Sequence, residues 1–139
     1  MATTTAQITL TSTDIADNAL SISNTMTLTT AGTETGITET TGLARKKIAS
    51  SSLADLITVA NTDVTAAKSA KVYIKNTSTA TDKYGLVGIG DSGGTPIYIG
   101  RLYGGDWMLI PWDANSGEDI TMTMNDATET IIEYMVFFE

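Results

Sequence analysis

The sequence predicts an all-β protein: an antiparallel, jelly-roll-like β-sandwich with an extended, threonine-rich N-terminal region. Three observations predict it. Threonine, which is β-branched and favours pleated surfaces, occurs 26 times, with 15 of these residues among the first 41. Short apolar segments alternate with period two and are separated by turn residues, as in sandwiches and barrels. No window of useful length has the 3.6-residue period of a helix.

The first 44 residues are predicted to form two strands and a loop or arm. Residues 20–28 alternate leucine, isoleucine and methionine with serine and threonine, which predicts a half-buried strand. Residues 8–11 predict a shorter strand of the same kind. From Thr29 to Gly42 only Ile37 is a large apolar residue, so this stretch is either a mobile loop or an arm that folds against a partner.

Residues 45–139 are predicted to form the sandwich body. A helical turn is expected over 52–55, and Pro111 indicates that its strand is an edge strand or ends there. Because the last strand runs nearly to Glu139, we expect removal of the C-terminus to unfold the domain. Strands are predicted at 43–49, 56–59, 70–75, 84–89, 96–102, 107–112, 120–124 and 130–138.

Composition excludes several kinds of chemistry. The 139 residues fit one compact domain, and they include neither cysteine nor histidine. A disulfide framework, a thiolate nucleophile, a Cys-type zinc site and an imidazole base are therefore excluded. The N-terminus lacks a signal-peptide pattern and no segment is apolar enough to span a membrane, so a soluble product that is made in a cytoplasm is expected.

The net charge of −8 is distributed unevenly. Residues 1–44 carry −4, residues 45–101 carry +4 with all eight cations, and residues 102–139 carry −8. Patches of opposite sign can steer one copy onto another or onto a partner surface. Alternatively, neighbouring strands balance each other's charges within one molecule. A net acidic domain is a poor partner for nucleic acid.

Two enzyme motifs occur in the glycine-rich segment and both are rejected. The run Gly90 to Gly94 matches the tract around a protease serine, but that chemistry needs an imidazole that the chain lacks. The run Gly88 to Gly93 has the form G-x-G-x-x-G, but strand-like residues follow where a dinucleotide fingerprint requires a helix. The segment is interpreted as a hairpin turn.

Two further chemistries are weighed against simpler interpretations. Asp113, Asn115, Glu118 and Asp119 offer oxygen ligands for calcium, but Gly117 comes one position too early for an EF-hand, and a solvated turn is favoured. Pairs of carboxylates leave a small hydrolase as a minor hypothesis. We therefore expect no enzyme activity and no cofactor. The sequon at Asn76 has no export signal beside it.

Aromatic residues mark a candidate interface. Tyr98, Tyr103, Trp107 and Trp112 fall within fifteen residues, beside Arg101, and these residue types form interface hot spots. Trp107 is assigned to the core by default, whereas Trp112, between Pro111 and an acidic loop, is predicted to lie at a contact surface. The predicted interface residues are Arg45, Lys46, Lys47, Arg101, Tyr103 and Trp112.

Residues 70–139 resemble small virion proteins of tailed bacteriophages, most of all those of marine and cyanobacterial phages. The resemblance lies in the tract Lys71–Asn76, the glycine turn leading into a W-x-x-x-P-W strand at Trp107–Trp112, and the E-Y-x-x-F strand at Glu133–Phe137. The threonine-rich first half shares only a general style, and no motif residue is catalytic.

The resemblance implies a structural role. A decoration (cement) protein on the outside of the phage head would bind the major capsid protein and form a dimer or trimer. The alternative is a tail, neck or fibre module that contacts a host surface. Neither nucleic acid nor a membrane is an expected partner.

Overall fold

The computed structural model describes residues 4–13, 20–28, 37, 39–50, 52–64 and 70–139. These residues form eleven β-strands and one short 3-10 turn, and they include no α-helix. No helix that could cross a membrane occurs among them. The chain packs as two compact units, residues 1–38 and 39–139, so the predicted boundary after residue 44 lies inside the second unit.

The first unit contains an antiparallel ribbon of strands β1 (Thr4–Ser12) and β2 (Leu20–Leu28). Both predicted strands are confirmed, and β1 is longer than the sequence suggests. The predicted half-burial of β2 is wrong along most of its length, because Ile22 and Met26 are each 40% exposed. Only Leu28, at the end of the strand, is buried.

The second unit contains nine antiparallel strands, and each of the eight strands predicted in this region overlaps one of them. The expected helical turn over 52–55 is wrong, because Ala54 and Asp55 pair in a sheet and the 3-10 turn lies at Val59–Asn61. The strands are β3 (Glu39–Thr40), β4 (Ala44–Ile48), β5 (Ala54–Ile57), β6 (Ala70–Asn76), β7 (Tyr84–Ile89), β8 (Ile97–Tyr103), β9 (Trp107–Trp112), β10 (Ile120–Met124) and β11 (Thr130–Phe138).

The predicted loop or arm at 29–42 is wrong at its C-terminal end. Strand β3 pairs with β11, and the Thr41 amide donates to the Val136 carbonyl oxygen at 3.0 Å. The Val136 amide in turn donates to the Thr41 hydroxyl at 3.0 Å. These bonds hold residues 39–41 in the sheet, whereas residues 29–36 and 38 lie outside the described residues.

The strands of the second unit form two antiparallel sheets with nested pairing. One sheet has the order β5-β10-β7-β8, and in the other β11 pairs with β3 and β4 at one edge and with β6, then β9, on its other side. Counted outward from the turn at residues 90–96, β7 pairs with β8, β6 with β9, β5 with β10, and β4 with β11. Strands β4 to β11 thus form a long antiparallel hairpin that is folded over into two sheets.

Both sheets contribute to one hydrophobic core, which gives the unit a sandwich-like architecture. Burial alternates along β6 as the sequence predicts for residues 70–75, and β7, β10 and β11 contribute further buried apolar side chains to the same core. Chain length is sufficient for such a core without disulfide or metal. The most deeply buried apolar residues are Val72, Ile74, Val87, Ile120, Met122, Ile132 and Val136.

Candidate interaction surface

The three predicted interface residues of β4 are engaged within the molecule. Arg45 Nε and Nη2 donate to Glu133 Oε2 at 3.0 and 2.9 Å, and Lys47 Nζ lies 3.3 Å from Glu129 Oε2. Lys46 Nζ donates to the backbone carbonyl oxygen of Asp55. Two of the three cations of this strand are thus paired with acids of the neighbouring chain segment, as one of the two interpretations of the charge pattern expects. Exposed ion pairs of this kind stabilise a fold little.

Trp112 is not at an exposed surface, and its predicted placement is wrong. It is 3% exposed and its indole Nε1 donates to the Glu118 carbonyl oxygen at 2.7 Å. Alternation along β9 explains this, because Trp112 shares the inward-facing side of the strand with Met108 and Ile110, which pack against the core. The acidic loop after it supplies the acceptor that a buried indole needs.

Trp107 lies on the other face of β9, and its predicted place in the core is also wrong. Its side chain is 50% exposed rather than in the core, and its ring lies 6.4 Å from that of Tyr73. Partial burial, with a contribution from the negative charge of Glu133, raises the pKa of Tyr73. Pro111 lies in the same strand, and β9 is an edge strand of its sheet, as the proline indicates.

The other two predicted interface residues, Arg101 and Tyr103, lie together on the outer face of strands β7 and β8. The Arg101 guanidinium lies 4.7 Å from the centre of the Tyr84 ring, within cation–π range, and the Tyr84 and Tyr103 rings are 5.1 Å apart. A hydrogen bond with the Tyr103 side chain, and then the neighbouring Tyr84, raise the pKa of Arg101. The register sets Tyr84 opposite Tyr103, so the cluster depends on the β7–β8 pairing.

Tyr98 extends the same face. The pairing shifts by one residue between Val87 and Gly88, which brings Tyr98 opposite Gly88. A Cβ atom at Gly88 would meet the Tyr98 ring at 3.2 Å, so the absent side chain lets that ring lie over the strand. We call Tyr84, Tyr98, Arg101 and Tyr103 the tyrosine patch.

Strand β8, which carries three of the four patch residues, is exposed to solvent along nearly its whole length. It is an edge strand that pairs only with β7 in the described part of the chain. Of its seven residues only Leu102 is buried, and Ile97 and Ile99 are 77% and 43% exposed. Exposed apolar side chains on an open edge are the usual features of a surface that receives a partner.

The glycine-rich segment is a turn between strands, as predicted. Residues 90–96 connect β7 to β8, with Gly90 at a φ of 129°, and a strand follows. The Asp55 carboxylate holds this turn, accepting from the Ser92 amide at 2.9 Å and from its hydroxyl at 2.7 Å. Ser92 therefore anchors the turn to β5.

Asp119 of the acidic loop has a structural role, and a separate cavity lies beside β5. The Asp119 carboxylate accepts a hydrogen bond from the Val59 amide at 2.8 Å, and no group of three potential metal-binding side chains occurs among the described residues. A cavity of about 340 Å³ next to Leu56 and Tyr134 is also lined by Lys46 and Asp55. The charged groups of both residues already bond within the protein.

Sequence reasoning missed Asn76, a buried polar residue at the end of β6. Its side chain is fully buried, and its Nδ2 donates to the carbonyl oxygens of Leu102 at 3.0 Å and Lys83 at 3.3 Å. Its Oδ1 accepts from the Ser78 amide at 3.0 Å. The sequon at Asn76 is therefore closed to glycosylation in the folded protein, and the residue ties β6 to β8 and to the turn before β7.

Comparisons with known proteins found no matching family model, no matching curated protein and no matching solved structure.

Proposed function

We propose that this chain is a structural protein of a bacteriophage virion, a decoration (cement) protein that binds the outside of the head lattice. The observation that carries the proposal is the tyrosine patch on the open strand β8, where aromatic and apolar side chains face solvent on a well-packed body. Tyrosine and arginine are prominent in interface hot spots.

The nested strand pairing supports a jelly-roll assignment for the body. An eight-stranded double Greek key of two sheets is the jelly-roll architecture, which occurs in viral capsid domains and in lectins. The pairs β7–β8, β6–β9, β5–β10 and β4–β11 follow that pattern. A fold does not determine a function, so the jelly-roll assignment supports a virion role but does not identify the surface that binds the partner.

The proposed partner is the major capsid protein, together with further copies of this chain in a dimer or trimer at the symmetry positions of the lattice. Its place is the outer surface of the phage head, after synthesis in the bacterial host cytoplasm. The resemblance of residues 70–139 to small virion proteins supports this choice, and the net charge of −8 argues against a nucleic-acid partner. The role requires no catalytic residue and no cofactor.

A tail, neck or fibre module is the second candidate, and the tyrosine patch is the observation that favours it. Tyr98 is 48% exposed and Tyr103 is 38% exposed, so both rings can stack against a host glycan. Specific binding of the isolated protein to host cells, lost on Tyr98→Ala, would support this candidate over the first.

Co-sedimentation with phage heads that lack the protein tests the primary proposal. We expect wild-type protein to bind until it reaches a fixed fraction of the major capsid protein. Tyr98→Ala combined with Arg101→Ala should weaken binding about tenfold or more, as expected for hot-spot residues. Trp107→Ala is the matched control, since it removes a 50% exposed aromatic side chain from the other sheet. Absence of saturable binding by the wild-type protein would refute the proposal.

A further inference from the structure

The two faces of the β1–β2 ribbon differ in character, since one is mainly apolar and the other is polar. In an antiparallel pair, residues directly opposite each other point to the same side. One side therefore carries Leu10 opposite Ile22 and Ala6 opposite Met26, with Ile8 opposite Asn24 between these two pairs. At the two ends of this side, leucines of β2 face polar residues of β1: Leu28 lies opposite Thr4, and Leu20 lies opposite Ser12. The other side consists only of threonine, serine and glutamine at its described positions: Thr5, Gln7, Thr9, Thr11, Ser21, Ser23, Thr25 and Thr27.

The apolar side is open to solvent except at the end of β2, where Leu28 is buried. Ile8 is 45% exposed and Leu10 is 50% exposed, and across the ribbon Ile22 and Met26 are each 40% exposed. A two-stranded ribbon by itself is only marginally stable in water, and stability normally requires packing of one face. The ribbon thus has a face of the kind that packs against another surface.

The composition of the ribbon identifies the kind of surface that covers it. The 19 described residues 4–13 and 20–28 include no charged side chain, in a chain with 24 charged residues and a net charge of −8. Interface cores are depleted in charge. Two copies of the whole chain repel each other, but two ribbon faces approach without like charges in contact. An uncharged face is complementary to itself.

We infer that the apolar face of the β1–β2 ribbon packs against the same face of a second copy of this chain. This deepens the proposed homo-oligomer and depends on the proposed structural role for its purpose. Nine residue pairs make a face about 30 Å long and 10 Å wide. Two such faces bury about 600 Å², about half of what the smallest stable specific interfaces bury.

The expected contact is therefore weak in free solution and becomes effective when a lattice holds the copies close together. Linked contacts gain affinity from effective concentration without any new interaction. In solution we expect a dissociation constant of roughly tens to hundreds of micromolar. Sedimentation velocity of the full-length chain across that concentration range measures it directly.

Matched substitutions on the two faces test the inference. Leu10→Lys with Ile22→Lys places two cations on the apolar face, whereas Thr9→Lys with Ser23→Lys places two cations on the neighbouring cross-strand pair of the polar face. We expect the first variant to weaken self-association at least tenfold and the second to change it less than threefold. Leu10→Thr with Ile22→Thr removes apolar area without adding charge or lowering strand propensity, and it should also weaken association.

The possible results separate this inference from the proposed function. A monomeric wild-type chain at all concentrations, or equal weakening by the two lysine variants, would overturn the inference. Far-UV circular dichroism checks that each variant keeps the strand content of the wild type, and the fluorescence of the buried Trp112 checks that the second unit is folded. Wild-type protein that self-associates but does not bind heads would leave the inference standing and refute only the head-binding role.

Discussion

Replacement of Asn76 should destabilise the protein far more than replacement of a similarly bonded but exposed asparagine. Asn76→Ala removes two donated bonds and one accepted bond at a fully buried position. Each bond contributes about 0.5–1.5 kcal/mol net, and a buried group left without a partner costs about 1–3 kcal/mol. We expect a loss of about 3–4 kcal/mol in the free energy of unfolding, a large share of the roughly 5–15 kcal/mol typical of a domain.

Asn125 is the matched control. Its Nδ2 donates to the Asp82 carbonyl oxygen at 3.0 Å and its Oδ1 accepts from the Tyr84 amide at 2.8 Å, but these bonds are exposed. Because water replaces the lost partners, Asn125→Ala should cost only about 0.5–1 kcal/mol. Urea unfolding followed by tryptophan fluorescence, with Trp112 as the buried probe, measures both variants. Equal losses for the two would refute the burial argument.

Three further predictions concern the same body. Thr121 is fully buried and its Oγ1 has no hydrogen-bond partner among the described residues, so Thr121→Val should raise the unfolding free energy by about 1 kcal/mol in the same urea assay, and a loss would contradict this. Hydrogen bonds from Thr128, and then the Lys83 ammonium, lower the pKa of Asp126. The ionised Asp126 therefore stabilises the folded protein above the unfolded-state pKa of about 3.9, and this stabilisation is lost as the pH falls through the lower pKa of the folded state. The stability difference between wild type and Asp126→Asn should therefore be measurable at pH 7 and vanish near pH 2; a difference that persisted there would contradict the cause given. Truncation before Val136 removes buried residues and the β3 pairing, so the cooperative thermal transition should disappear, whereas a retained transition would show that the last four residues are dispensable.

Local alternation was sufficient to predict the strands but not their partners. Residues 20–28 were predicted with the observed bounds because period-two patterning is a local property of the chain. Residues 107–112 were predicted with the observed bounds because they form a hydrophobic run between two turn segments. Strand β3 has two residues and no pattern of its own, and it exists because β11 lies beside it. The nested pairing joins residues far apart in sequence, for which a single sequence carries no direct signal.

For Trp112 and Asn76, the period-two alternation of the strand already indicated an inward-facing side chain. Trp112 shares parity with Met108 and Ile110, which already predicts an inward side chain, but its proline and acidic neighbours suggested a surface. Asn76 likewise continues the inward series of Ala70, Val72 and Ile74, and a polar residue in such a series must find hydrogen-bond partners. Its partners come from other strands and turns, so the sequence indicates that partners are needed but not which ones they are.

Quantitative mass spectrometry of purified phage particles tests the central claim most directly. If the chain is a passive building block whose exposed strands bind repeats of the head lattice, its copy number should be a fixed, large fraction of that of the major capsid protein. A copy number matching single tail or neck components would contradict the assignment to the head, and absence from the particles would contradict the structural role altogether.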